Sequence, residues 1–97
     1  MTPAQRQAHF ERFFAATARA FARRQGLGFG GTIRKLPPPP LPGERPGATR
    51  YYVNALGADG APGLVELGGA ALERLRSAER WAETGEGPRP GGLPLKR

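Results

Sequence analysis

The chain has 97 residues, enough for one small domain that buries roughly 60–65% of its unfolded surface. Fifteen basic residues against eight acidic ones leave a formal charge of +7, which implies an acidic partner: nucleic acid, an anionic membrane surface or an acidic protein face. The lack of cysteine excludes a disulfide framework and a thiolate metal site, and fits a reducing compartment.

The first predicted element is a helix over residues 3–25. Thr2 suits the N-cap, Pro3 the first helical position, and Gln5 completes a Thr-x-x-Gln capping box. Gly26 supplies the stop, after Arg23 and Arg24 have placed positive charge at the negative end of the helix dipole. At 100° per residue, Phe10, Phe13, Phe14, Thr17, Ala20 and Phe21 form the apolar face, while Arg12, Arg19 and Arg23 gather opposite it within about 40°. The longest apolar stretch near the N-terminus, Phe13 to Ala22, is interrupted by Arg19, so neither a signal peptide nor a spanning helix fits. The arginine-rich amphipathic composition with one acid, Glu11, is also shared by mitochondrial transit peptides.

Residues 26–31, Gly-Leu-Gly-Phe-Gly-Gly, read as a flexible joint, followed by a short strand at 32–36. The joint matches G-x-G-x-x-G in form, but a dinucleotide fingerprint needs a strand before it and a helix after it, and here the order is reversed. Prolines at 37–40, 42 and 46 then impose an extended polyproline linker over 37–48.

Thr49 to Leu56 alternates, with Tyr51, Val53 and Ala55 on one side and Tyr52, Asn54 and Leu56 on the other. Residues 64–67 are its predicted antiparallel mate across a turn marked by Asp59-Gly60. A second helix over about 69–84 carries Ala71, Leu75, Ala78 and Ala82 as its stripe, flanked by Leu72 and Trp81, and Gly85 ends it. Its charges, Glu73, Glu79 and Glu83 against Arg74, Arg76 and Arg80, read as a solvated, self-paired face. Prolines and glycines beyond Glu86 predict an irregular basic tail containing Arg89, Lys96 and Arg97.

These elements define an α+β fold class: a small single domain over residues 1–85, with an N-terminal amphipathic helix, the polyproline linker, a β-hairpin or three-stranded antiparallel sheet, and a second helix. A flexible basic tail follows over 86–97. No catalytic constellation accompanies it. His9 has no cysteine or second histidine to share a metal, and Ser77 has no histidine nearby in sequence to activate it. The expectation is a non-enzymatic protein with no cofactor, no metal and no small-molecule substrate.

The predicted function is therefore nucleic-acid binding, DNA or RNA, through the phosphate backbone and with little sequence selection. Arg12, Arg19 and Arg23 would lead, supplemented by Arg34, Lys35, Arg45 and Arg50. Core or rim packing is the expected fate of Tyr51, Tyr52 and Trp81, with one tyrosine at most free to stack on a base. The run Arg34-Lys35-Leu36-Pro37-Pro38-Pro39-Pro40 resembles the Arg-x-Leu-Pro-Pro-x-Pro ligands of SH3 domains, which implies protein recognition through Leu36, Pro37, Pro38, Pro39 and Pro40. The same run also serves as a stiff spacer.

An alternative expectation is a structural subunit of a larger assembly, either a virion or a ribonucleoprotein. The helix–hairpin–helix order with a basic C-terminus, over residues 49–97, resembles the small head-completion proteins of tailed phages. A third is an amphipathic membrane-surface protein using Phe10, Phe13, Phe14 and Phe21 as the lipid face. Cytoplasm or virion is the expected location.

Overall fold

Helix α1 spans Pro3–Arg24 and begins with the predicted capping box. The Gln5 backbone N–H donates to Thr2 Oγ1 at 3.1 Å, and the Thr2 N–H donates to Gln5 Oε1 at 2.8 Å, so two otherwise orphaned donors are satisfied. In the computed structural model, which describes residues 1–91, α1 is followed by β1 (Gly28–Lys35), β2 (Arg50–Leu56), β3 (Pro62–Glu66) and α2 (Gly69–Thr84). Lys96, Arg97 and the rest of the predicted tail beyond Gly91 lie outside the described residues.

The strands form one antiparallel sheet in the order β1-β2-β3, the three-stranded form of the expected α+β layout. Val53 pairs with Thr32 on one side and Val65 on the other, and Tyr51 pairs with Arg34. Since partners in an antiparallel pair share a face, Phe29, Thr32, Arg34, Tyr51, Val53, Ala55 and Val65 point one way. Both helices lie on that inner face. Ile33, Lys35, Arg50, Tyr52, Asn54, Leu56, Leu64 and Glu66 point the other way, and no described element covers them.

The glycine-rich segment is a correction to the sequence reading. Its residues 28–31 are not a joint but the first half of β1, with a register shift between Phe29 and Thr32. Gly30 passes so close to β2 that a Cβ there would stand 2.8 Å from the Asn54 carbonyl oxygen. Only a residue without a side chain fits this approach.

The core is built from Phe10, Phe14, Tyr51, Val53, Leu67, Leu75 and Trp81, closed by alanines on both helices. Phe14 meets Tyr51 edge-on at 5.5 Å. The helices run antiparallel, because Arg6 near the start of α1 reaches Ala82 near the end of α2, while Phe13 further along α1 lines a cleft with Ser77 and Ala78 earlier in α2. The buried arc of α1 comprises Phe10, Phe14, Thr17, Ala18 and Ala22, while Ala20 is exposed. The face is thus rotated by roughly 50° from the one the aromatic residues suggested. The reason is that α1 faces both α2, through Arg6 and His9, and the sheet, so its buried arc extends past the phenylalanines to Ala18 and Ala22.

The C-terminal segment also differs from expectation within the described residues. Pro90 is buried, its carbonyl lies 2.6 Å from His9 Nε2, and the His9 ring stands edge-on to Trp81 at 5.3 Å. His9 is therefore a packing residue that fastens residues 88–91 against α1.

Candidate nucleic-acid interface

Helical geometry alone sets the leading cluster. Arg12, Arg19 and Arg23 are all exposed, on the side of α1 away from its buried arc, and span roughly 16 Å at 1.5 Å rise per residue. That length matches a few successive phosphates on one strand. Among the described residues none of the three forms an ion pair. The neighbouring acid Glu11 instead accepts from the Gln7 side-chain amide at 3.0 Å. The Arg19 guanidinium carbon lies 4.6 Å from the Phe29 ring centroid, a contact that orients the side chain without neutralising it.

The remaining predicted cations do not join this stripe. Arg34 points beneath the sheet, where its guanidinium pairs with Glu79, and Tyr51 donates its hydroxyl proton to the same carboxylate. Its role is therefore to neutralise a buried acid, and it is withdrawn from the phosphate surface. Lys35 lies on the outer face with Nζ 5.1 Å from the Tyr52 ring centroid. Arg50, also on the outer face, lies 3.7 Å from Glu66 Oε2. The Tyr52 side chain first, and then the Glu66 charge, hold Arg50 above the ordinary arginine pKa. Arg45 is exposed on the return limb of the proline arm. The structure thus separates the predicted set into an α1 stripe, a buried pair and an outer-face group.

Two residues escaped the sequence reading. Arg6 donates from Nε to the Ala82 carbonyl at 3.2 Å and from Nη1 to the Met1 carbonyl at 3.2 Å, placing its charge at the negative end of α2. Glu79 was read as part of a solvated face but is only 8% exposed. A signal was present: Glu79 follows Leu75 by four residues and precedes Ala82 by three, inside the apolar arc. Burial first, and then the hydrogen bond to Glu79, push the Tyr51 hydroxyl well above the usual tyrosine range.

A shallow cleft above Tyr51 and Glu79 is lined by Ala48, Thr49, Arg76, Arg80 and Glu83. Glu79 is already paired with Arg34, so the cleft's Arg76 and Arg80 face Glu83 as the one remaining acid among its lining residues. No group of three potential metal-ligating side chains occurs among the described residues. No described helix is long and apolar enough to cross a membrane. Of the predicted protein-interaction residues, Leu36, Pro38, Pro39 and Pro40 are exposed on the arm, whereas Pro37 is half-buried.

No family model matches this chain, no curated protein is significantly similar to it, and no solved structure is significantly similar to it.

Proposed function

We propose that this chain is a non-catalytic nucleic-acid-binding domain that lays the outer side of α1 along a phosphate backbone. The observation that carries the reading is the uncompensated row Arg12, Arg19, Arg23, in a molecule where Arg6, Arg34 and Arg50 are already engaged by its own carbonyls and carboxylates. Guanidinium contacts to phosphates position a protein without reading bases, so selection among sequences is weak. Fluorescence anisotropy with random-sequence DNA and RNA duplexes tests it. Affinity is expected to fall about 20- to 40-fold between about 50 mM and about 200 mM salt, as three phosphates' counterions are released. Arg12→Glu/Arg19→Glu/Arg23→Glu is expected to abolish binding while the chain stays folded, with a modest fall in melting temperature from the lost Arg19–Phe29 contact and the reversed charge at the α1 C-terminus. Retention by that variant, or no binding at low salt, would falsify the reading.

A second reading rests on the open outer face of the sheet, where Ile33, Leu56 and Leu64, one on each strand, are exposed. A subunit of a larger assembly would bury this face against a neighbour. Light scattering over a concentration range tests it, and a strict monomer at all concentrations counts against self-assembly. The first reading places the chain in the cytoplasm, the second in the cytoplasm or a virion.

A further inference from the structure

The arm between β1 and β2 is the largest exposed segment that nucleic-acid binding leaves unused. Residues 37–40 and 42 are proline, and every residue at 36–39 and 41 precedes one. Proline fixes its own φ near −65° and holds the residue before it extended. With no cis peptide among the described residues, the segment 36–42 runs as a polyproline II helix of three residues per turn.

That period sorts the arm into three ridges: Leu36, Pro39 and Pro42; Pro37 and Pro40; Pro38 and Leu41. The second is turned toward the return limb at its base. Pro37 is half-buried, and a Cβ on Gly47 would stand 2.9 Å from the Pro37 Cβ. At the tip, the Glu44 N–H donates to the Leu41 carbonyl at 2.9 Å, and the Leu41 N–H donates to Glu44 Oε1 at 3.0 Å. Gly43 sits at φ +87°, the left-handed position that a type II turn after proline requires. Strand pairing of Lys35 with Arg50 closes the base. The arm is thus braced at three levels, yet Leu36 and Leu41 are 65% and 66% exposed. Its one acid, Glu44, is turned onto the backbone, while Arg45 stays free beside it.

The geometry points to a preformed polyproline ligand, presented to a protein domain whose groove is lined by aromatic side chains and rimmed by acids. Leu36, Pro39 and Pro42 form the inserted ridge, Pro38 and Leu41 its second edge, and Arg45 the cation that meets the acidic rim. This differs from the sequence-level match, in which Arg34 supplied the cation, because Glu79 holds Arg34 beneath the sheet. A ligand already fixed in its bound shape loses little entropy on docking.

The test is titration of the isotope-labelled full chain with a panel of purified SH3 and WW domains, read by backbone amide shifts and calorimetry. At least one domain is expected to bind with Kd below about 100 μM, with shifts confined to the arm and its base. Leu36→Ser/Pro39→Ser should weaken that binding by about tenfold or more, and Arg45→Glu should weaken it independently without any effect on folding. The triple glutamate variant of α1 should bind as the parent does. The proposal is overturned if no domain in the panel binds, if both arm variants bind unchanged, or if the α1 variant abolishes binding.

Discussion

Glu79 lies among Leu75, Ala78 and Ala82, and an ionised carboxylate is tolerated there because Arg34 neutralises it and Tyr51 donates to it. The arrangement makes each partner dependent on the others. Arg34 keeps its Nε buried with no hydrogen-bond acceptor, so loss of Glu79 would leave a charge with neither counter-ion nor full solvation. Glu79→Ala is expected to cost about 2–4 kcal/mol in urea denaturation, and Arg34→Met a similar amount. Removing both charges together, as Arg34→Met/Glu79→Met, should recover part of either loss, since the desolvation penalty leaves with the pair while the buried Tyr51 hydroxyl still loses its acceptor. Strictly additive losses would show that the two side chains do not interact.

Tyr51 extends the same logic to pH. Its hydroxyl pKa is raised in the folded state by burial and by Glu79, so the native protein keeps a proton that the unfolded chain releases near pH 10. The stabilisation linked to this proton is complete below about pH 10 and is lost as pH rises further, at about 1.4 kcal/mol per pH unit. Tyr51→Phe lacks the titrating proton. The stability difference between parent and variant should therefore shrink by about 1 kcal/mol between about pH 10 and about pH 11. A difference that stays constant over this interval would contradict the assignment of the buried hydroxyl.

At the level of elements, β1 is the least conventional. Glycine is a poor strand former, and the segment acquires its structure from β2 rather than from its own propensity. Gly30→Ala would drive a methyl group against the Asn54 carbonyl and force the two strands apart, at an expected cost of about 1–3 kcal/mol. Gly63→Ala on β3 meets no atom within 4 Å and is expected to be neutral or to stabilise by a few tenths of a kcal/mol. Comparing the two by chemical denaturation checks the close approach, and equal effects would contradict it. The contrast also explains what sequence reasoning could reach. Helix α1 was legible because its capping box, first-turn proline and glycine stop are local signals, and the β2–β3 hairpin because alternation and Asp59-Gly60 are too. The onset of β1 was not, because its cause is a carbonyl on another strand. The buried arc of α1 was misplaced because α1 packs against two partners, α2 and the sheet, and the position of those partners is not written in the local pattern. Arg34 and Lys35 illustrate an intermediate case: strand alternation separates adjacent residues onto opposite faces, and only the position of the helices decides which face is covered.

On the scale of the whole molecule, that separation limits how many cations one polyanion can meet. The helices cover the inner face, so the α1 stripe lies on the helix side of the sheet, with Arg19 reaching Phe29 at its rim, while Lys35 and Arg50 occupy the far side. The molecule is 23 Å thick along its shortest axis, and a straight duplex cannot follow both surfaces. Binding through α1 alone neutralises about three phosphates, for an expected slope of log K against log salt of about −2 to −3. All seven cations first grouped together would instead give about −5 to −6. Anisotropy titrations at several salt concentrations distinguish the two. Lys35→Glu/Arg45→Glu should leave the slope unaltered, whereas each reversal within Arg12, Arg19 and Arg23 should reduce it by about one or abolish measurable binding. A parent slope near −5 that becomes shallower in Lys35→Glu/Arg45→Glu would place the outer sheet face and its proline arm on the nucleic acid, and would remove both the α1-only geometry and the independence of the arm.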